Sequence, residues 1–143
     1  MLLNFKLYFF SLLAAMLLGN LLWPKENLYA KALTIQPGNP ERGLKVIRDG
    51  SKTSCLICHS ISQLPDRNQG QLGPTLNGVG SKFTEEELRL RITDARKINK
   101  NTIMPPYLSD KDLFRVAPKW QGKTIYQPQE LEDVISFLLS LKI

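Results

Sequence analysis

Both cysteines and the one histidine of this chain lie within five residues, Cys55-Leu56-Ile57-Cys58-His59. Thiols three positions apart reach the two vinyl groups on one edge of a porphyrin and form thioethers with them, the attachment pattern of haem c. The imidazole that follows at once is then held over the iron as an axial ligand. The same residues fit other chemistry poorly. Structural zinc takes about four protein ligands, and no further Cys or His exists to complete such a set. A thioredoxin-like dithiol belongs between the strand and the helix of a βαβ unit, and no β-branched run precedes Cys55. A plain disulfide gives no reason for the sole histidine to follow Cys58. One covalently bound haem c, carried by Cys55, Cys58 and His59, is therefore expected.

The iron's other face needs its own ligand. Met104, in Asn101-Thr102-Ile103-Met104-Pro105-Pro106, is the only methionine beyond residue 32. It lies downstream of the histidine in a loop that the two prolines stiffen. A His/Met pair raises the reduction potential over bis-His ligation. It also leaves no open coordination position, which favours electron transfer over oxygen or peroxide chemistry. The competing reading makes Met104 a gap-filling core residue, with a lysine on the iron instead. An iron-bound imidazole normally donates its second N–H to a carbonyl. Pro74, in Gly73-Pro74-Thr75-Leu76, offers one from a rigid turn and has no N–H of its own to satisfy. A simple turn proline is the other reading.

These residues need elements to position them, and helix signals dominate. Asn39-Pro40-Glu41 reads as an N-cap, a proline at the first helical position and an acid in the first turn. Leu44 and Ile47 follow on one face, and Asp49-Gly50 stops the helix. Gly43 sits inside it, where glycine costs about 1 kcal/mol relative to alanine; a close helix crossing would explain it. Thr84-Glu85-Glu86-Glu87 has the form of a capping box. Leu88, Ile92 and Ala95 then recur at helical spacing, and Arg96-Lys97 complement the dipole at the end. A last helix runs from about Pro128 to Leu141, with Leu131, Val134, Ile135, Leu138 and Leu139 as its buried stripe, extended by Phe137 and Leu141. Between these helices, 63–80 and 99–122 are long loops rich in Gly, Pro and Asn. Such loops are unusual in a compact domain without an organiser, and a haem would serve as one. No strand pattern is evident, so the expected fold is all-α, with loops wrapped around one planar cofactor.

Of the 143 residues, 1–32 read as a secretory leader. Lys6 precedes the apolar stretch Leu7 to Leu18, Gly19-Asn20 interrupts it, Leu21-Leu22-Trp23 resumes it and Pro24 ends it. Ala30-Lys31-Ala32 then offers small residues at the −3 and −1 positions of a cleavage site. An uncleaved anchor is the alternative, since Leu7 to Trp23 reaches the lower limit of about 17 residues for a membrane span. Export agrees with haem c, which is attached on the outer side of an energy-transducing membrane, and the expected address is the bacterial periplasm. Residues 33–143 then form one cytochrome domain, with no membrane attachment once the leader is removed. Lys6, Lys25, Lys31 and Glu26 contribute +2 of the formal net charge of +6, leaving +4 on that domain. Such a surplus steers a protein towards acidic partners. Basic residues are nowhere interleaved with aromatics, so nucleic acid is not an expected partner.

Cys55 to His59, then Gly73-Pro74-Thr75-Leu76 and Met104-Pro105, resemble the class I cytochromes c. That resemblance implies a fold in which the N- and C-terminal helices cross tightly through a glycine and an aromatic, for which Gly43 and Phe137 are the matching pair. It implies His59 and Met104 as axial ligands, and the Pro74 carbonyl as acceptor of the histidine's N–H. Within the class, the run from Leu72 to Thr84 is similar to the segment after the haem motif in the SoxX family. Members of that family are monohaem subunits of the SoxAX complexes of bacterial thiosulfate oxidation. Asp94-Ala95-Arg96-Lys97-Ile98-Asn99, followed by Thr102-Ile103-Met104-Pro105-Pro106-Tyr107, looks like that family's approach to its methionine. The ending from Leu131 to Leu138 matches as well.

The family implies a role. Its partner SoxA, which holds a cysteine-ligated haem, joins thiosulfate to a cysteine of the SoxYZ carrier. The monohaem subunit, in a heterodimer with SoxA, receives the electrons and passes them to a soluble cytochrome c. This chain has no spare cysteine for sulfur chemistry and no spare histidine for acid–base work, in keeping with an electron-transfer subunit without catalytic residues of its own. The alternatives are a free-standing cytochrome c shuttle, which shares fold, ligands and compartment, and, from another class, a dithiol oxidoreductase using Cys55 and Cys58.

Overall fold

A computed structural model describes residues 31–52 and 54–143. Nearly all of the leader expected over 1–32 falls outside them. Four α-helices are present among the described residues: α1 (Pro40–Arg48), α2 (Val79–Lys82), α3 (Glu85–Asp94) and α4 (Pro128–Ser140). Short 3₁₀ turns occupy Gly50–Lys52, Cys55–Ile57, Ala95–Lys97 and Pro118–Trp120. No strand occurs among the described residues, so the expected all-α architecture is the one observed.

The helices start where their capping chemistry places them. Asn39 accepts from the Arg42 amide at 2.8 Å at the head of α1, with Pro40 at the first helical position. Thr84 and Glu87 form a reciprocal capping box at the head of α3, with Glu87 N to Thr84 Oγ1 at 3.2 Å and Thr84 N to Glu87 Oε2 at 2.9 Å. At the head of α4 the Gln127 amide donates to Glu130 Oε2 at 2.9 Å. One end differs from expectation. α3 stops at Asp94, and Ala95, expected to continue the helix, opens a 3₁₀ turn instead. Asp94 is extended as it caps that turn, and its side chain accepts from the Arg96 amide at 3.1 Å. A short aspartate side chain that bonds nearby backbone competes with helix continuation.

The core is built on α4. Leu131, Val134, Ile135, Phe137, Leu138 and Leu141 are buried there, while Leu139 is only partly so. They pack with Ile47 of α1, Leu88 and Ile92 of α3, Val79 of α2, and the loop residues Leu56, Ile61, Tyr107 and Tyr126. α1 crosses α4 at Gly43, as the glycine had suggested. A β-carbon there would run into the Asp133 carbonyl and come within 2.9 Å of Phe137 Cβ. Only hydrogen fits between those backbones.

Because α1 and α3 both flank α4, its sides carry buried charge as well. Asp133 is held by Arg42 Nε at 2.7 Å and Nη2 at 2.7 Å, by the Asn39 amide at 2.8 Å and by Gln129 Nε2 at 3.1 Å. Glu132 is held by Arg89 Nε and Nη2, both at 2.9 Å. Arg89 is wholly buried and also pairs with Glu85 one turn earlier in α3. Ionised groups at these depths persist only when partnered in this manner.

Candidate haem-binding site

The Cys55–Ile57 turn hangs from the end of α1. Ser54 Oγ donates to the Ile47 carbonyl at 2.6 Å and accepts from the Leu56 amide at 3.2 Å, so one hydroxyl joins helix and turn. The turn is closed by Cys58 N and His59 N, which donate to the Cys55 carbonyl at 3.1 and 2.9 Å. Cys55 and Cys58 are both free thiols, half-buried, and no disulfide joins them.

A second segment is laid alongside in matching register. Gly70 N donates to the Leu56 carbonyl at 2.8 Å, Gly73 N to Cys58 at 2.7 Å and Leu76 N to Ser60 at 2.9 Å. Thr75 Oγ1 adds a bond to the Ser60 carbonyl at 3.1 Å, and Asn77 Oδ1 accepts from Ser62 N at 2.8 Å. This zip carries Pro74 to the histidine, and His59 Nδ1 lies 2.6 Å from the Pro74 carbonyl oxygen. A carbonyl only accepts, so the proton sits on Nδ1 and Nε2 keeps its lone pair. That tautomer is the one a metal-bound imidazole needs.

Gly73 completes the cradle. A β-carbon on it would collide with the imidazole, reaching His59 Nδ1 at 2.7 Å and Nε2 at 2.9 Å. Gln69 supports the loop from below: its amide nitrogen donates to the carbonyls of Ile61 at 3.1 Å and Asp66 at 2.8 Å. Arg48 pairs with Asp66, which ties the loop to α1 and holds the Asp66 carboxyl below its ordinary range.

Two tyrosines back the first cysteine. The Tyr107 and Tyr126 rings lie 4.5 Å apart at 34°, and Tyr126 N donates to the Tyr107 carbonyl at 2.8 Å. The Tyr126 hydroxyl sits 3.9 Å from Cys55 Sγ. Burial pushes the Cys55 thiol up, partly offset by hydrogen bonds from Tyr126 and Tyr107. Burial likewise raises both phenols well above their ordinary value, and the nearby thiols add to the effect. Sequence reasoning passed over this pair, although a signal existed. They are the only tyrosines beyond residue 32, and a buried phenol needs a polar neighbour.

Met104 stands on a third segment. The chain leaves α3 through the Ala95–Lys97 turn, where Arg96 grips Asp94 with Nε at 2.7 Å and Nη2 at 2.8 Å. Arg96 also donates to the carbonyls of Lys111 at 2.9 Å and Asp112 at 2.8 Å, clamping both ends of the loop that contains Met104. The Met104 amide donates to Thr102 Oγ1 at 3.2 Å, and its side chain packs half-buried against the core. The loop returns to the core through Tyr107 N, which donates to the Ile92 carbonyl at 3.1 Å. The structure thus places His59 and Pro74 in direct contact, sets Cys55 and Cys58 on the adjoining turn, and sets Met104 on a separately anchored loop.

These residues fit a haem c. Two unpaired thiols precede an imidazole with a bare Nε2, and a glycine is forced beneath that ring. Exposed apolar side chains also lie on each of the three segments: Ile57 at 61%, Leu72 at 69% and Ile103 at 73% exposure. A flat apolar macrocycle is the kind of surface they would cover.

Comparison with known proteins agrees. The family model described as "Cytochrome c" matches residues 42–142. The crystal structure of SoxXA from P. pantotrophus matches with a TM-score of 0.72 at 33% sequence identity, covering 79% of this chain and 88% of that one. No curated protein matched significantly by sequence. The chain therefore belongs to the cytochrome c family, as a class I cytochrome c of the SoxX type, and that membership implies a covalently bound haem c.

Proposed function

We propose that this protein is a periplasmic monohaem cytochrome, the electron-transfer subunit of a SoxAX-like complex that oxidises thiosulfate. The 2.6 Å contact between His59 Nδ1 and the Pro74 carbonyl, directly after the Cys55–Cys58 pair, carries the haem part of the reading, and the likeness to the SoxXA structure supports the choice of complex. Cys55 and Cys58 would hold the haem through thioethers, and His59 and Met104 would ligate its iron. The bound haem c supplies a one-electron couple. Pro74 keeps the proton on Nδ1 and orients the ring, Gly73 gives the ring room, and Arg96 holds the methionine loop closed. One CxxCH sequence implies one haem.

The division of labour follows from what the chain lacks. With both thiols engaged and the one histidine on iron, no side chain remains to carry sulfur or to act as a neutral-pH base. Formation of the sulfur–sulfur bond on a SoxYZ-type carrier then falls to a SoxA-like haem subunit, the partner in a heterodimer. A soluble cytochrome c accepts the electrons. Similarity to the SoxXA structure, over most of both chains, supports this assignment. Leader removal at Ala32 leaves the domain free in the periplasm, and the +4 surplus on residues 33–143 favours acidic partners.

Co-expression with a SoxA-like protein in a host that matures haem c tests the proposal. The two should elute together, and thiosulfate with the carrier present should reduce this subunit's haem. A monomer indifferent to thiosulfate, yet reduced by a membrane quinol-oxidising complex, would instead mark a free-standing shuttle. A colourless, haem-free mature protein would end both readings.

A further inference from the structure

The segment ahead of α1 is strapped to α4 at several points. Asn39 N donates to Asp133 Oδ1 at 2.8 Å, and Gln129 Nε2 donates to the Pro37 carbonyl at 3.4 Å. Gly38 lies so close to α4 that a β-carbon would run into the Glu132 carbonyl and reach Ser136 Cβ at 2.9 Å. At its far end, the Leu33 nitrogen donates to Glu132 Oε1 at 3.0 Å. Glu132 is buried, at 5% exposure, and already pairs with the fully buried Arg89, which also pairs with Glu85. Among the described residues, Arg89 thus meets one buried carboxylate, Glu132, and one half-exposed carboxylate, Glu85, and, Arg89 apart, a further cation at Glu132 would meet no like charge on that carboxylate's own helix turn. Lys31, Ala32 and Leu33 are exposed, so the bond between residues 32 and 33 stands clear of the fold.

We infer that cleavage of the Ala32–Leu33 bond creates a new cation, the α-ammonium of Leu33, which docks on the buried Glu132 carboxylate beside Arg89. The inference rests on the reading of residues 1–32 as a leader. An export peptidase adds one water across the bond. Ala32 keeps a carboxylate and leaves with the leader, while the Leu33 nitrogen becomes an amine and takes up a proton. The nitrogen is already in place, because the amide that precedes cleavage holds the same carboxylate oxygen. A neutral N–H···O⁻ bond then becomes a charge-assisted one, roughly twice as strong. Processing one or two residues away would leave the amine out of register with Glu132. The position of the cut, and not merely its occurrence, therefore matters to the folded protein.

The test uses the exported holoprotein. Its mass should place the N-terminus at Leu33. Its α-amine, paired and protonated, should then react with an amine-selective acylating reagent at pH 7 at least about tenfold more slowly than the same amine in a free peptide, a tenfold change being one pKa unit. Holoprotein beginning instead at Lys31 should melt roughly 4 °C or more lower, and Glu132→Gln should erase the difference between the two starts. A Leu33 amine that reacts as it does in a free peptide, with both starts melting together, overturns the inference alone. A natural terminus at another residue overturns it together with the reading of the leader. The reactivity measurement needs no variant, so a poorly folding Glu132→Gln does not blunt it.

Discussion

Gly73 and His59 are in direct contact, backbone against imidazole, with no room for even a methyl group between them. The ring is fixed from that side by steric exclusion, while the Pro74 carbonyl 2.6 Å from Nδ1 fixes its proton. Two adjacent residues of one turn thus set both the tilt and the tautomer of the histidine.

Gly73→Ala should therefore displace the imidazole and break the bond to Pro74. The expected outcome is a holoprotein with altered visible ligand-field bands and a lower reduction potential, at near-native helix content. Circular dichroism alongside a redox titration checks it, and an unaltered potential would show that the loop simply yields.

Met104→Ala should abolish the sulfur-to-iron charge-transfer band and lower the reduction potential, with thioether attachment intact. The spectrum of the oxidised variant and a denaturing gel stained for haem read the two separately. A wild-type spectrum that already lacks the band, with a potential unchanged in the variant, would show that another group, such as a lysine, holds the iron.

Gly43→Ala should destabilise the crossing of α1 and α4 by about 1–3 kcal/mol, the usual cost of overpacking a tight contact. The neighbour on one side is the Asp133 carbonyl, which cannot rotate away as a side-chain tip would. Denaturant titration at constant haem loading measures it. A midpoint equal to the wild type would mean the helices part without penalty.

Acid should weaken the fold through Asp94 and Asp133. The Arg96 hydrogen bonds hold Asp94 below the ordinary carboxylate range. Burial alone would raise Asp133, but bonds from Arg42, the Asn39 amide and Gln129 outweigh it and the net direction is down. A folded-state pKa below the unfolded one contributes stability that is fully present above about pH 4 and is lost as pH falls through the folded value. Melting temperature should be level near neutrality and decline below about pH 4, with a shallower decline in Asp94→Asn. A melting temperature that climbs between pH 4 and pH 3 would contradict this sign.

Most of the architecture was legible because it is written in local chemistry. Asn39 and Thr84 stand at the helix starts, prolines mark the first turns of α1 and α4, and the α4 stripe has the period of a helix face. The His59–Pro74 contact could be expected because both partners lie in short recognisable strings. What escaped the sequence lies in contacts between distant positions. Tyr107 and Tyr126 stand out as the only tyrosines beyond residue 32, but the strings around them do not say that they stack behind Cys55. Arg89, Glu132 and Asp133 read as ordinary helix-surface charges until α1 and α3 close on both sides of α4. The 3₁₀ turn at Ala95 hinges on whether Asp94 bonds its own neighbours or lets the helix run on, a choice that periodicity does not reveal.

α4 is the mast to which the earlier segments are lashed: Gly38 and Gly43 lie directly on its backbone, and the Gly80 amide donates to the Leu141 carbonyl at 3.0 Å. Partners some 90 positions apart in sequence must meet before any of these joints can close, and ring closure over that span is slow. Loss of the α4 anchor would therefore release the segments on both sides of Cys55 and Cys58 together, and not one joint at a time.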